Sequence, residues 1–138
     1  MKKAYAYIRV SSTGQLAGYG PERQEEMIRA FAKRSGYHIV TVYSEAYTGT
    51  EADRPQFNAM LTAMMLDGVK TVIVESLDRL ARTLAIQTLL LTQLAASKLS
   101  LFAANTGENV TEALEDEPMR WAMVQMQGVW AELNKRRS

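Results

Sequence analysis

A hydroxyl two residues beyond an arginine, at the end of an apolar run, is a candidate for attack on a phosphate. Residues 5–13 read Tyr-Ala-Tyr-Ile-Arg-Val-Ser-Ser-Thr. Strand side chains alternate, so Arg9 and Ser11 project to one side while Val10 points away. Serine is a weak nucleophile at neutral pH and needs activation. A second cluster lies at Ser76-Leu77-Asp78-Arg79-Leu80-Ala81-Arg82. Arg79 and Arg82 are three apart and would share a helical face. A helix N-terminus disfavours cations, so two arginines there make better sense with an anion between them. Arg54 precedes Pro55, which biases it out of the helical region. It would sit at a helix boundary with its side chain reaching sideways.

Each residue also has an ordinary structural use. Ser11 is of a type common in turns and caps. Arg9 is long enough to snorkel to a strand edge. Asp78 would serve as the N-cap of the following helix. Arg54 has Glu51 and Asp53 within reach, and Arg79 and Arg82 have the makings of solvated surface charges. His38 reads as a strand-edge residue. What stands against these uses is the joint placement of four arginines and one serine on one expected rim.

The elements that must position these groups follow from periodicity and punctuation. Residues 3–10 read as a buried strand and 11–20 as a glycine-containing loop. Pro21 suits the first turn of a helix, with Glu22 nearby. Met27, Ile28, Phe31 and Ala32 recur at helical spacing, and Gly36 ends the element. Residues 38–44 are β-branched and strand-like. Pro55 opens a second helix, with Phe57, Met60, Leu61 and Met64 on one face and Gly68 as its stop. Residues 70–75 form a third strand and Thr83 to about Ala96 a third helix. Residues 99–104 are a short strand, and a long helix runs from about Glu115 to the end. This alternation implies an α/β fold: a three-layer, open, mostly parallel sheet flanked by helices. Ligands of such sheets bind beyond the carboxyl ends of the strands. Strand one ends at Arg9-Val10-Ser11 and strand three at Ser76-Leu77-Asp78-Arg79, so parallel strands would bring both sets to one rim.

Composition narrows the alternatives. The 138 residues, 47% hydrophobic and 22% charged, suit one soluble globular domain. There are no cysteines, which excludes disulfides and thiolate metal sites. The N-terminus turns polar too soon for a signal peptide, and no apolar run approaches membrane-spanning length, as expected of a cytoplasmic protein. With a net charge of +1, any anion site must be local. A Ser-His-Asp system would have to use the one histidine, and no Gly-x-Ser-x-Gly elbow is present. Gly18-x-Gly20 lacks the third glycine of a dinucleotide fingerprint, and the P-loop pattern is absent.

Taken in order, the motifs resemble those of the serine recombinases (resolvases, invertases and serine integrases). Tyr7-Ile8-Arg9-Val10-Ser11 resembles the family signature. Gln24 falls where the family has an active-site glutamine. Gly49 followed by Arg54-Pro55 is similar to its loop arginine before the second helix. Ser76 to Arg82 resembles its Leu-Asp-Arg-Leu-x-Arg motif. The resemblance runs from about residue 3 to the end and implies the family's catalytic domain over 1–138. The implied reaction is DNA cleavage and rejoining. Ser11 would attack a backbone phosphodiester, form a 5′-phosphoserine link and free a 3′-hydroxyl, which reseals the strand after subunit rotation. No metal or nucleotide is implied. Arg9, Arg54, Arg79 and Arg82 would cage the transition-state charge. Asp78 would handle a proton or orient an arginine, and Gln24 would position a phosphate oxygen or Ser11. Ser12 competes on residue type alone; the motif selects Ser11.

In the last helix, Met119, Met123, Met126, Trp130 and Leu133 recur at three- and four-residue steps, with Trp121 and Val124 on a second stripe. The helix either packs on its own domain or forms a subunit interface, for which Met and Trp are suited. The resemblance favours an interface: a homodimer through this helix, a tetramer in the synaptic complex, and double-stranded DNA as partner. Family members continue into a separate DNA-binding domain, and none is expected within 1–138. The family commonly has arginine soon after the glutamate matching Glu132, where this chain has Leu133 and Asn134. No catalytic role passes to Arg136 or Arg137.

Overall fold

The computed structural model describes residues 1–10, 20–46 and 53–112. In chain order the elements are β1 (Lys2–Val10), α1 (Pro21–Ser35), β2 (Tyr37–Ala46), α2 (Pro55–Asp67), β3 (Thr71–Val74), α3 (Leu77–Leu80), α4 (Leu84–Ala96), β4 (Ser100–Ala103) and β5 (Glu108–Asn109). They build a five-stranded sheet of order β2-β1-β3-β4-β5. The first four strands pair in parallel and β5 closes the edge antiparallel to β4. The expected mostly parallel sheet is therefore observed, with one short antiparallel strand added.

Alternation along β1 divides the core into two layers. Tyr5 and Tyr7 pack on one face with Phe57, Met60 and Met64 of α2 and with Leu80, Leu90, Leu91 and Leu94. Ala4, Ala6 and Ile8 pack on the other with Ile28, Phe31 and Ala32 of α1. The small alanines let α1 approach closely; the larger tyrosines fill the space under α2. Residues 4–9 are all buried, as a central strand of a covered sheet requires. β2 lies at the edge, and His38 on it is exposed.

Both expected proline starts and glycine stops are observed. Pro21 and Pro55 open α1 and α2, and Gly36 and Gly68 close them in the left-handed region at φ 82° and 78°. At Gly68 the backbone N–H donates to the Met64 carbonyl, which satisfies one of the carbonyls a helix end leaves open.

The expected third helix, Thr83 to about Ala96, is observed as α4, with Thr83 as its N-cap. What was not expected is the one-turn α3 before it, separated from α4 by extended backbone at Ala81 (φ −161°, ψ 149°). Ser76 caps α3 by accepting from the Arg79 N–H, and Thr83 caps α4 by accepting from the Ile86 N–H. Asp78 is thus not an N-cap but stands in the first turn of α3. Arg79 stands in α3 and Arg82 in the break itself, so the two do not share a helical face. The break is stable because its carbonyls find partners. The Gln87 Nε2 donates to the Ala81 oxygen at 2.9 Å and the Leu77 oxygen at 3.4 Å, and Arg54 donates to the Leu80 oxygen.

Candidate active site

The β1–β3 register, Tyr5 to Val72 and Ala6 to Ile73, puts the carboxyl ends of both strands on one rim. Arg9 closes β1 and α3 follows β3, so the two arginine motifs approach from adjacent strands. The N-terminus of α2 joins them through Arg54, which precedes Pro55 with extended-side backbone (φ −136°, ψ 73°).

Arg9 and Arg54 are each only 2% exposed. Arg54 Nη1 donates to the Leu80 carbonyl and lies 3.4 Å from the Tyr7 hydroxyl. It pins α2, β1 and α3 together. The Tyr7 hydroxyl donates to Glu45 Oε1 at 3.0 Å. Burial pushes the Tyr7 phenol far above its ordinary range, with Arg54 opposing and Glu45 adding to the rise. Tyr7 therefore stays a hydrogen-bond donor.

Glu45, buried at the end of β2, accepts from two further donors. These are the backbone N–H groups of Gln56 (3.0 Å) and Phe57 (2.8 Å) in the first turn of α2. A carboxylate from a neighbouring strand thus caps a helix whose own preceding residue, Arg54, makes no side-chain cap.

Gln24 is fully buried, and its amide is engaged with Arg9. The Gln24 Oε1 accepts from the Arg9 N–H at 3.3 Å, and Nε2 donates to the Arg9 carbonyl at 3.0 Å. The side chain pairs with β1 as a strand neighbour would. It thereby positions the backbone that leads directly into Ser11.

Arg79 is partly exposed and Asp78 and Arg82 are exposed. Arg79 Nε donates to Glu75 Oε1 at 3.2 Å. Ser11, Ser12, Gly49 and the whole of residues 113–138, including the expected interface helix and Glu132, lie outside the described residues. Sequence reasoning passed over Tyr7 as a donor, and over Glu45, Glu75 and Arg23. A weak signal existed for two of them. Glu45 is a lone acid among strand residues ten positions before Pro55, and Glu75 follows three apolar β-branched residues and precedes Arg79 by four.

The family model for the N-terminal domain of resolvases matches residues 4–138. The chain belongs to the resolvase family of serine recombinases. Its described fold is that of a resolvase-like catalytic domain. Among curated relatives, the Tn501 transposon resolvase of Pseudomonas aeruginosa is 32% identical over 129 residues, which cover 94% of this chain and 60% of that protein. An uncharacterised protein of Escherichia coli K12, YbcK, is 40% identical over 92 residues, covering 59% of this chain and 18% of its own length. This resolvase-family chain thus spans less than two thirds of these relatives. Among solved structures, a resolvase family site-specific recombinase from Streptococcus pneumoniae aligns over the whole of both chains with a TM-score of 0.65 and 27% identity. The N-terminal catalytic domain of TP901-1 integrase aligns over 98% of each chain with a TM-score of 0.72 and 22% identity, a likeness of fold.

Proposed function

We propose that the chain is the catalytic domain of a site-specific DNA recombinase in which Ser11 is the nucleophile. The serine oxygen attacks a DNA backbone phosphorus, and the P–O3′ bond breaks. The DNA 5′ end is left as a phosphoserine ester and the 3′-hydroxyl leaves with a proton. After strand exchange that hydroxyl attacks the phosphoserine, the new P–O3′ bond forms, and Ser11 is released. The phosphodiester energy is conserved throughout, so the scheme calls for no nucleotide.

The observation that carries this reading is the resolvase-family match across residues 4–138, which runs through Ser11 and every arginine assigned to the cage. The geometry around it is compatible. Arg9, Arg54, Arg79 and Arg82 supply cations for the charge that spreads over phosphoryl oxygens. Asp78, exposed beside Arg79, is available for proton handling or for orienting that arginine. Gln24 acts through the Arg9 backbone, setting the strand end from which Ser11 departs. Double-stranded DNA is the partner, and a homodimer through residues 113–138, paired into a tetramer for exchange, is the assembly.

The test is covalent capture. The chain is incubated with a pool of nicked duplexes of varied sequence and resolved under denaturing conditions. A protein–DNA adduct is expected for the natural sequence and none for Ser11→Ala. An adduct that persists in Ser11→Ala moves the nucleophile elsewhere. No adduct on any duplex favours a module that keeps the fold without cleavage.

A further inference from the structure

Glu75 is a buried anion outside the motifs. It follows Val74 at the carboxyl end of β3 and is 3% exposed. Its backbone is fixed, since its carbonyl accepts from the Asn105 N–H at 2.9 Å, continuing the β3–β4 contact. A carboxylate at that depth must be paired. Its two oxygens are divided between two cations from different elements. Oε1 takes Arg79 Nε of α3 at 3.2 Å, and Oε2 meets Arg23 Nη1 of α1 at 2.9 Å.

The two guanidiniums keep much of their surface. The Arg23 side chain is 53% exposed and that of Arg79 41%. Each gives one nitrogen to Glu75, and an arginine has five N–H donors in a planar fork. Both side chains thus keep exposed surface around a carboxylate that is itself buried. Two cations around one carboxylate leave a surplus positive charge there. One arginine would have sufficed to neutralise the charge of Glu75. What the arrangement achieves is the placement of two forks side by side.

We propose that Glu75 joins Arg23 and Arg79 into one clamp for a DNA backbone phosphate, with Arg23 a further phosphate-contacting residue and Glu75 the positioning residue. The clamp rests on the DNA-cleavage reading for its partner. It adds a residue of α1 outside the motifs to the DNA-contacting surface. The carboxylate lies beneath, holding the two side chains out of their many other rotamers, so that their outer N–H groups meet phosphate oxygens. Arginine forks suit phosphate for this purpose better than a point charge does.

Binding of the full chain to a labelled duplex, followed by fluorescence anisotropy over a series of salt concentrations, tests the clamp. Each phosphate contact contributes about 0.9 to the slope of log K against log salt. Arg23→Ala is expected to reduce the steepness of that slope by about 0.9. Glu75→Gln removes a negative charge, which by charge alone would tighten binding. A positioning role predicts the opposite: weaker binding and a shallower slope. Glu75→Asp should recover part of the loss, and adding Arg23→Ala to Glu75→Gln should cost less than Arg23→Ala costs alone. Tighter binding by Glu75→Gln overturns the positioning role, and an unchanged slope in Arg23→Ala overturns the contact. If the Glu75 variants do not fold by circular dichroism, Arg23→Ala, at a half-exposed position, decides alone. The readout is binding and needs no cleavage. A chain with no Ser11-dependent adduct but an Arg23-dependent slope thus fails the cleavage reading and keeps the clamp. A chain that does not bind duplex at low salt overturns the clamp itself.

Discussion

Tyr7 shows how one side chain serves core and site together. Its ring packs edge-on against Phe57 at 5.3 Å between centroids, and its hydroxyl links Arg54 to Glu45. Because burial holds the folded-state phenol above its ordinary value near 10, the linkage has a definite sign. Below pH 10 the phenol is protonated in both folded and unfolded chains, and its contribution is intact. As pH rises past 10 the unfolded chain ionises first, and stability is lost. Urea titrations of the natural sequence and Tyr7→Phe should therefore show a stability gap that is constant up to about pH 9.5 and shifts toward the Phe variant above pH 10. A gap independent of pH would mean Tyr7 ionises as easily folded as unfolded. This behaviour was not legible in the sequence. The motif exposed Tyr7 only as part of an apolar run, because its partner Glu45 is 38 residues away and meets it through parallel pairing. Gln24 was singled out from the sequence by the motif alone, and its engagement with the Arg9 backbone depends on how α1 lies across β1.

At the scale of elements, the starts and stops of α1 and α2 were readable because their causes are local. Proline presets the first turn, and glycine alone enters the left-handed region cheaply. Gly68 demonstrates the second point. A β-carbon there would meet no atom within 4 Å, so only the backbone at φ 78° resists substitution. Gly68→Ala should then cost about 1 kcal/mol, a figure set by the left-handed conformation rather than by packing. Chemical denaturation checks it, and a loss of several kcal/mol would point to a clash the geometry does not contain. The start of α4 at Thr83 was readable, but the one-turn α3 before it was not. Leu77 to Ala96 contains no proline or glycine to announce a break. Gln87 of α4 and Arg54, 26 residues away, supply the missing hydrogen bonds. Arg79 therefore belongs to a helix and Arg82 to the extended break that follows it.

At the scale of the molecule, the rim exists because β1 and β3 are parallel neighbours in the middle of the sheet. Under the proposed cleavage reading, four arginines from three stretches of chain serve it, in a protein whose net charge is only +1. If they serve the transition state, Arg79→Ala and Arg82→Ala should each slow adduct formation by about 100-fold, the usual scale for losing a preorganised charge contact. Duplex binding should weaken by less than about 10-fold, as for one phosphate contact. Measuring both on the same duplex decides the matter, and equal losses would make these residues plain phosphate anchors.

The sequence by itself determined the residue types, the alternation that selects the faces of β1, and the order of strands and helices along the chain. It also carried the ordered motifs on which the family membership rests. These are properties of neighbours in the chain, set by backbone sterics and by periodicities of 2 and 3.6. The tertiary structure decided which distant groups meet: Glu45 with Tyr7 and α2, Gln24 with Arg9, Glu75 with Arg23 and Arg79. Each of these joins a buried polar group to a partner on another element. Burial makes such a partner obligatory, but only the packing of the sheet and its helices selects which one it is.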